Sequence, residues 1–369
     1  MSHDGRGTPT TYIRPRMTRC SPPLLLGLLL LVACPDQRGG SRGDDDDTAA
    51  NDDDSAAPQD DDDSADDDDS ADDDDSADDD DSADDDDAPP VGPDCTEDIV
   101  AGGLTLLGTC GGDFDMGCTP NQFWCGQEEV PPHPVTLTRG VHLGRTEVTR
   151  GAWTALMGND PSYYTRYCLT SDCPVDNVSW QDAVSFVNAL SAAEGLPPCY
   201  ALTGCTGTPG VDLFCLNSTI LSATGSVYDC TGYRLPTEAE FEFASRAGTD
   251  LPYSGSEISF EVGWTGVNSA PCNGCAVTTH EVATLMPNGW GFHDMTGNVE
   301  EWVSDRYDRD YYSVSPGVDP EGPATGEMHV FRGGYCGGPE SVARMPARRS
   351  GFPMTSGQNL GFRIARTAP

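Results

Sequence analysis

Between Asp44 and Asp87 the chain carries 27 aspartates and no basic residue, largely as the six-residue repeat Asp-Asp-Asp-Asp-Ser-Ala seen at 66–71 and 72–77. The stretch has no Val, Leu, Ile, Met or aromatic residue, so it cannot bury a core, and like-charge repulsion extends it. At about 3.3 Å per residue it reaches roughly 150 Å at most. It reads as a spacer. A calcium-buffering role is the weaker alternative, because carboxylate oxygens suit that ion but nothing preorganises them here. The repeat divides the chain into a segment 1–34, a linker 35–94 and a foldable region 95–369. That last region, about 275 residues, is enough for one large domain with its own core.

The first segment reads as a targeting signal. Arg14, Arg16 and Arg19 precede an apolar run from Leu24 to Val32, interrupted only by Gly27. The run is too short to span a bilayer as a helix and suits a signal-peptide core. It ends in Leu31-Val32-Ala33-Cys34, which resembles a bacterial lipobox, with Cys34 as the lipidated residue. An ordinary signal peptide cut nearby is the alternative. The expected location is the bacterial cell envelope, on a membrane-anchored lipoprotein facing the periplasm or the exterior, with membrane lipid a partner through Cys34.

Formal net charge is −41, and every one of the 20 basic residues is arginine. The linker supplies −27 of that charge, and the remainder is still acidic, so nucleic acid is excluded as a partner for want of a basic face. Thirteen cysteines follow residue 94. Behind a signal peptide they read as a disulfide framework in an oxidising compartment, and an odd number leaves one thiol over. Cys118 with Cys125, Cys168 with Cys173 and Cys272 with Cys275 are close enough to close small loops. Cys199, Cys205, Cys215 and Cys230 surround a Gly- and Thr-rich insertion that burial alone could not order. Cys272-Asn-Gly-Cys275 also has the spacing of a zinc or redox motif, but without a second such pair a loop staple is the better reading.

Three helices are marked in the folded region. Thr149–Met157 ends at Gly158; Ser179–Ala193 starts with Ser179 as N-cap and Asp182 three residues on; Thr237–Ala247 opens on the capping box Thr237-Glu-Ala-Glu240 and is followed by Gly248. Elsewhere the segments, such as Val135–Leu137, are short and bounded by Gly, Pro or Asn, which predicts short strands and long loops.

Six stretches, in order over residues 111–366, together resemble the formylglycine-generating enzyme (sulfatase-modifying factor) family. They are Gly111-Gly-Asp-Phe-Asp-Met-Gly117; Glu147-Val-Thr149 leading to Leu156-Met-Gly158; Val178-Ser-Trp-Gln-Asp-Ala183; Gly232-Tyr-Arg-Leu-Pro-Thr-Glu-Ala-Glu240; Pro287 through Asp294-Met-Thr-Gly-Asn-Val-Glu-Glu-Trp302; and the pair Arg332-Gly-Gly334 with Gly361-Phe-Arg363. The resemblance implies an α+β fold with little regular secondary structure, the C-type-lectin-like fold of that family.

The resemblance also implies a structural calcium site made by the side chains of Asp294 and Glu301 and the carbonyls of Gly297 and Val299. The other reading of that stretch is a hydrogen-bonded turn holding Trp302 in the core. A second family site would begin at Asn268, but Cys272 and Cys275 replace an acidic ligand in the loop that follows. In the family two cysteines bind copper and oxidise a substrate cysteine; here those positions are Gly338 and Ala343, and Tyr335 stands where a serine usually follows the glycines. Copper is therefore not expected. Cys336 remains as an unpaired thiol, a partner of a distant cysteine, or a variant nucleophile activated by Arg332 or Arg344. Arg234, Arg332 and Arg363 read as buried struts to Glu238, Glu240 or Asp182 rather than as groove residues. The six histidines show no helical metal pair. The expected function is a lipid-anchored, non-oxidising binding or scaffold module for a protein or glycan ligand; the alternative is an oxidase converting a sulfatase cysteine to formylglycine.

Overall fold

Side-chain oxygens at three N-caps start the three long helices. Thr149 accepts the N–H of Ala152 and begins α1 (Arg150–Met157), which stops at Gly158 in the left-handed conformation. Ser179 and Asp182 form a reciprocal capping box for α2 (Trp180–Ala193). Thr237 and Glu240 form another for α3 (Glu238–Arg246). There the sequence reading needs a small adjustment, since Ala247 itself takes the left-handed C-cap position at φ 46°. A single turn, α4 (Ser259–Val262), was not marked by the sequence.

The computed structural model describes residues 97–270 and 277–368, so Cys34, the Asp-rich linker, Cys272 and Cys275 lie outside the described residues. The strands are short. β1 (Ile99–Ala101), β2 (Leu104–Thr109), β3 (Gly112–Met116), β4 (His133–Leu137) and β5 (Val141–Gly144) precede α1. β6 (Tyr200–Thr203) and β7 (Asn217–Ile220) form a hairpin between α2 and α3. β8 (Gly263–Trp264), β9 (Thr296–Gly297), β10 (Glu300–Arg306), β11 (His329–Arg332), β12 (Arg348–Gly351), β13 (Leu360–Phe362) and β14 (Ala365–Thr367) follow.

One sheet runs β1-β2-β5-β14 and another β12-β11-β10-β13. In the second sheet β13 lies parallel to β10, with Glu301 opposite Gly361. The hydrogen-bonded ends of two tryptophans stitch α2 to β10: Trp180 Nε1 donates to the Val303 carbonyl at 2.9 Å, and Trp302 Nε1 to that of Val178 at 3.0 Å. Both rings are buried with Trp153, Phe186 and Phe362 in the larger core cluster. Burying each such ring contributes about 1.5–3 kcal/mol. A smaller cluster gathers Leu143, Phe241, Phe292, Val303 and Val330.

Four disulfides are placed as Cys118–Cys125, Cys168–Cys173, Cys199–Cys230 and Cys205–Cys215. The last two nest around the segment that carries the β6–β7 hairpin, where burial is sparse and cross-links substitute for a core. Cys110 is also disulfide-bonded. Among the described residues no helix is long and apolar enough to cross a membrane.

Candidate functional site

The glycine pair after β11 turns the chain back toward β9. Gly333 and Gly334 both lie at positive φ, and the Gly297 N–H donates to the Gly333 carbonyl at 2.7 Å. Cys336 follows and is held by its backbone: its N–H donates to the Asn298 carbonyl at 2.9 Å, and its carbonyl accepts the Ser269 hydroxyl. It is the free cysteine among the described residues, and it is fully buried. Burial pushes its thiol up to about 12, although the Tyr164 hydroxyl bonds the sulfur and opposes the shift. The activation expected from arginine is missing. Arg332 is spent on Glu242 and on the carbonyls of Met345, Pro346 and Ala347, while Arg344 forks onto Glu129 at 2.7 and 3.0 Å. An enclosed thiol with its pKa raised this far is a poor nucleophile.

The positions that correspond to the family's copper-binding cysteines are closed. A Cβ at Gly338 would lie 2.9 Å from Val342 Cγ2 and 3.0 Å from the Tyr335 ring, so the volume a side chain there would occupy is already filled. Ala343 packs against Gly334 and is buried. The residues present do not fit copper.

Around the Asp294–Trp302 stretch the structure collects acids. Asp294, Gly297 and Asn298 all take left-handed backbone conformations, which folds the stretch into a tight turn before β10. Asp294, Glu301 and Glu147 are each buried. Glu147, just before the α1 N-cap, was not singled out by the sequence, since nothing local marks a buried acid. Burial and the neighbouring Asp294 and Glu301 charges hold its carboxyl well above the usual range. Burial likewise pushes Asp294 up to about 6.

One cation faces the three carboxylates. Arg363 grips both oxygens of Glu301, at 2.6 Å each. Asp294 Oδ2 accepts the Ala283 N–H at 2.7 Å, and Glu147 Oε2 is contacted by Asn298 Nδ2 at 3.4 Å. Asp294 Oδ1 and Glu147 Oε1 are buried with no hydrogen-bond partner. Two orphaned carboxylate oxygens beside a turn are a fit for a hard cation, which takes carboxylate and carbonyl oxygens together. Asp294 and Glu147 then hold most of the charge, because Arg363 already shares Glu301. The fit is looser than a closed side-chain cage. The one set of three His, Cys, Asp or Glu ligand atoms converging within 4.8 Å among the described residues is Cys118, Cys125 and Glu129, whose sulfurs are in a disulfide. Where a second family site would begin, Asn268 spends its side chain locally, on the Thr265 N–H at 2.8 Å and the Gly263 carbonyl at 3.0 Å.

The remaining arginines are struts too, although two partners differ from those expected: Glu301 for Arg363 and Glu242 for Arg332. Arg234 forks onto Glu240 at 2.7 Å, and Arg332 reaches Glu242 and Glu238. Asp182, expected as a partner, instead completes its own capping box and accepts the Gly210 N–H. The four histidines His142, His280, His293 and His329 are each tied to a backbone carbonyl, and burial lowers the pKa of every one.

Short strands in two four-stranded sheets and three two-stranded ones, glycine turns and buried guanidinium–carboxylate struts define the class, a lectin-like domain of the formylglycine-generating type. Residues 104–368 match the sulfatase-modifying factor enzyme 1-like domain, and the chain belongs to that family. It is 32% identical over 295 residues to the formylglycine-generating enzyme of Streptomyces coelicolor, covering 70% of this chain and 88% of that one. It is 35% identical over 182 residues to the chaperone protein LppX of Paenibacillus barcinonensis, covering 46% of this chain and 62% of that protein. Among solved structures, Treponema denticola variable protein 1 superposes with TM-score 0.60 at 29% identity, over 74% of this chain and 99% of that one. PvdO from Pseudomonas aeruginosa shares the fold at TM-score 0.56 and 22% identity, over 74% and 98%.

Proposed function

We propose that this protein is a lipid-anchored, extracytoplasmic binding module that has given up the oxidative chemistry of its family. The observation that carries the reading is the closed volume at Gly338 with a buried, protonated Cys336 beside it. A copper oxidase of this type needs two sulfur donors meeting at one ion, and this corner brings only Cys336. Calcium has a structural part in the reading. Held by Asp294 and Glu147, with the Glu301 carboxylate and the Gly297 and Val299 carbonyls, it would neutralise buried charge and brace the turn before β10. The disulfides support an oxidising compartment. Cys34 as the lipid attachment point lifts the domain from a membrane on the acidic linker.

The test loads purified protein with copper(I) and presents a cysteine-containing sulfatase peptide under oxygen. Background copper and unmodified peptide are expected. Stoichiometric copper with formylglycine in the peptide would overturn the reading and restore the oxidase, which the identity to the Streptomyces coelicolor enzyme favours. The anchor is tested separately: radiolabelled palmitate should enter the wild type and not Cys34→Ala, and equal labelling of both would remove the anchor from the proposal.

A further inference from the structure

Two hollows of about 540 and 740 Å³ adjoin on the face made by the β6–β7 hairpin and the β10–β11 strands, and they share Ser218, Thr219, Arg306 and His329. Their size is that of small-molecule sites. One wall is β7, carried by the segment that Cys199–Cys230 and Cys205–Cys215 hold in place. This face involves neither Cys336, Gly338, Ala343 nor the acid cluster.

Two polar side chains of the cleft, His329 and Arg306, keep unspent hydrogen-bonding capacity. His329 on β11 is only 3% exposed, and its ring stacks on Trp180 with centroids 3.8 Å apart. Its Nδ1 lies 3.1 Å from the Ser304 carbonyl, which fixes the proton on Nδ1 and leaves Nε2 as a bare acceptor. That Nε2 is buried and has no partner. Burial and the Arg306 charge lower the imidazole to about 3, so it stays neutral at any ordinary pH. Arg306 donates from Nη1 to the Gly326 carbonyl and makes no ion pair among the described residues, which leaves the rest of its fork available. Ser218 and Thr219 line both hollows. Phe214 and Phe352 stand on the rim of the larger hollow, 40% and 48% exposed.

An acceptor-only nitrogen, a donor-only fork and two hydroxyls in one cleft are met together by a ligand whose every polar group both donates and accepts. We infer that this cleft is a carbohydrate-binding site: sugar hydroxyls donate to His329 Nε2 and accept from Arg306, and the C–H face of a ring lies against Phe214 and Phe352. Glu321 and Glu327 also line the hollows, so the sugar is neutral or carries a single acid opposite Arg306, not a polyanion.

The inference rests on the binding-module reading and supplies its ligand class. The full chain in detergent is screened against immobilised neutral oligosaccharides (β-glucan, mannan and N-acetylglucosamine oligomers) and uronate trimers, and any binder is then titrated by calorimetry. Saturable sugar binding is expected, weakened roughly tenfold or more by Arg306→Gln and by His329→Gln, and abolished by Ser218→Trp. Val100→Ser, on the exposed β1, should titrate like wild type. If His329→Gln does not fold, Arg306→Gln and Ser218→Trp decide the matter alone, since both side chains are at least partly solvated. No saturable binding to any sugar, capture of unstructured peptides instead of sugars, or binding indifferent to Arg306→Gln and Ser218→Trp overturns the inference. A copper-loaded, oxidising protein would sink the earlier reading, whereas a copper-free protein blind to sugars would sink only this one.

Discussion

Cys336 and His329 show at the residue scale how burial silences groups whose chemistry depends on charge. With its thiol pushed up to about 12, Cys336 is thiolate in about one molecule in ten thousand at pH 8. Iodoacetamide at pH 8 should therefore leave native Cys336 unmodified over hours and alkylate it promptly in denaturant. Rapid modification of the folded protein, mapped by peptide mass, would contradict the placement. For His329 the sign follows from linkage. The unfolded imidazole binds a proton below about 6.5 and the folded one only near 3, so its contribution is complete above 6.5 and lost as pH falls toward 3. Urea denaturation of wild type and His329→Gln should differ most near neutrality, the gap narrowing by about 1.4 kcal/mol per pH unit at most as acid is added. A gap constant from pH 7 to 4 would refute it. Buried acids such as Asp176, raised to about 7 by desolvation, slope the other way, which is why the difference between variants is the quantity to read. Neither group's state was legible in the sequence. The lone cysteine at 336 was visible, but its enclosure depends on Tyr164, Ser269 and Asn298, from three other parts of the chain.

At the scale of elements, α3 carries its acids inward. Glu238, Glu240 and Glu242 alternate along nine helical residues, and every one meets an arginine: Arg348, Arg234, and the pair Arg332 and Arg246. Such pairs add little net stability over an apolar core, yet removing one partner leaves an uncompensated charge. Glu242→Gln strands Arg332 and should cost about 3–5 kcal/mol in chemical denaturation. Thr237→Ala, which removes the cap and the buried hydroxyl contact with Tyr228 at 3.0 Å, should cost about 1–2 kcal/mol. Equal losses for the two would mean that the helix start, not the charge lattice, governs this element. The caps of all three long helices could be read from sequence because they span three residues. So could Arg234 with Glu240, six residues apart. Arg363 with Glu301 could not, because a separation of 62 residues carries no local signal. The same holds for the strands: β13 lies against β10 across some 60 residues of chain, and nothing in either segment names the other. The adjustment at Ala247 has a similar origin. The Gly after a periodic run marks where a helix must have ended, not the residue that first leaves it.

For the molecule as a whole, the acid cluster at the base of β10 should make stability depend on a divalent cation. Asp294 and Glu147 present unpaired buried oxygens, and Arg363 neutralises only one charge of three. Calcium at a hundred times its Kd should stabilise by about 2.7 kcal/mol, at roughly 2–4 °C of Tm per kcal/mol. Differential scanning calorimetry in calcium and in EDTA checks this, with Asp294→Asn expected to respond far less. Identical melting curves for wild type in the two buffers would place protons, not calcium, on those carboxylates. The disulfides make a second statement at this scale. Cys205→Ser with Cys215→Ser should expose the β6–β7 segment to limited proteolysis while the rest of the domain melts nearly as before, because the segment's own burial is sparse. A collapse of the whole melting transition would show that the hairpin is integral to the core.

The residues Leu360–Thr367 carry β13 and β14, and each completes a different sheet: β13 beside β10, β14 beside β5. Arg363, between them, supplies the counter-charge to Glu301. A nascent chain therefore lacks one edge strand in each of these sheets until residues 360–367 have left the ribosome. A chain that stopped before Leu360 would lack an edge strand in each sheet and would leave Glu301 without its counter-charge.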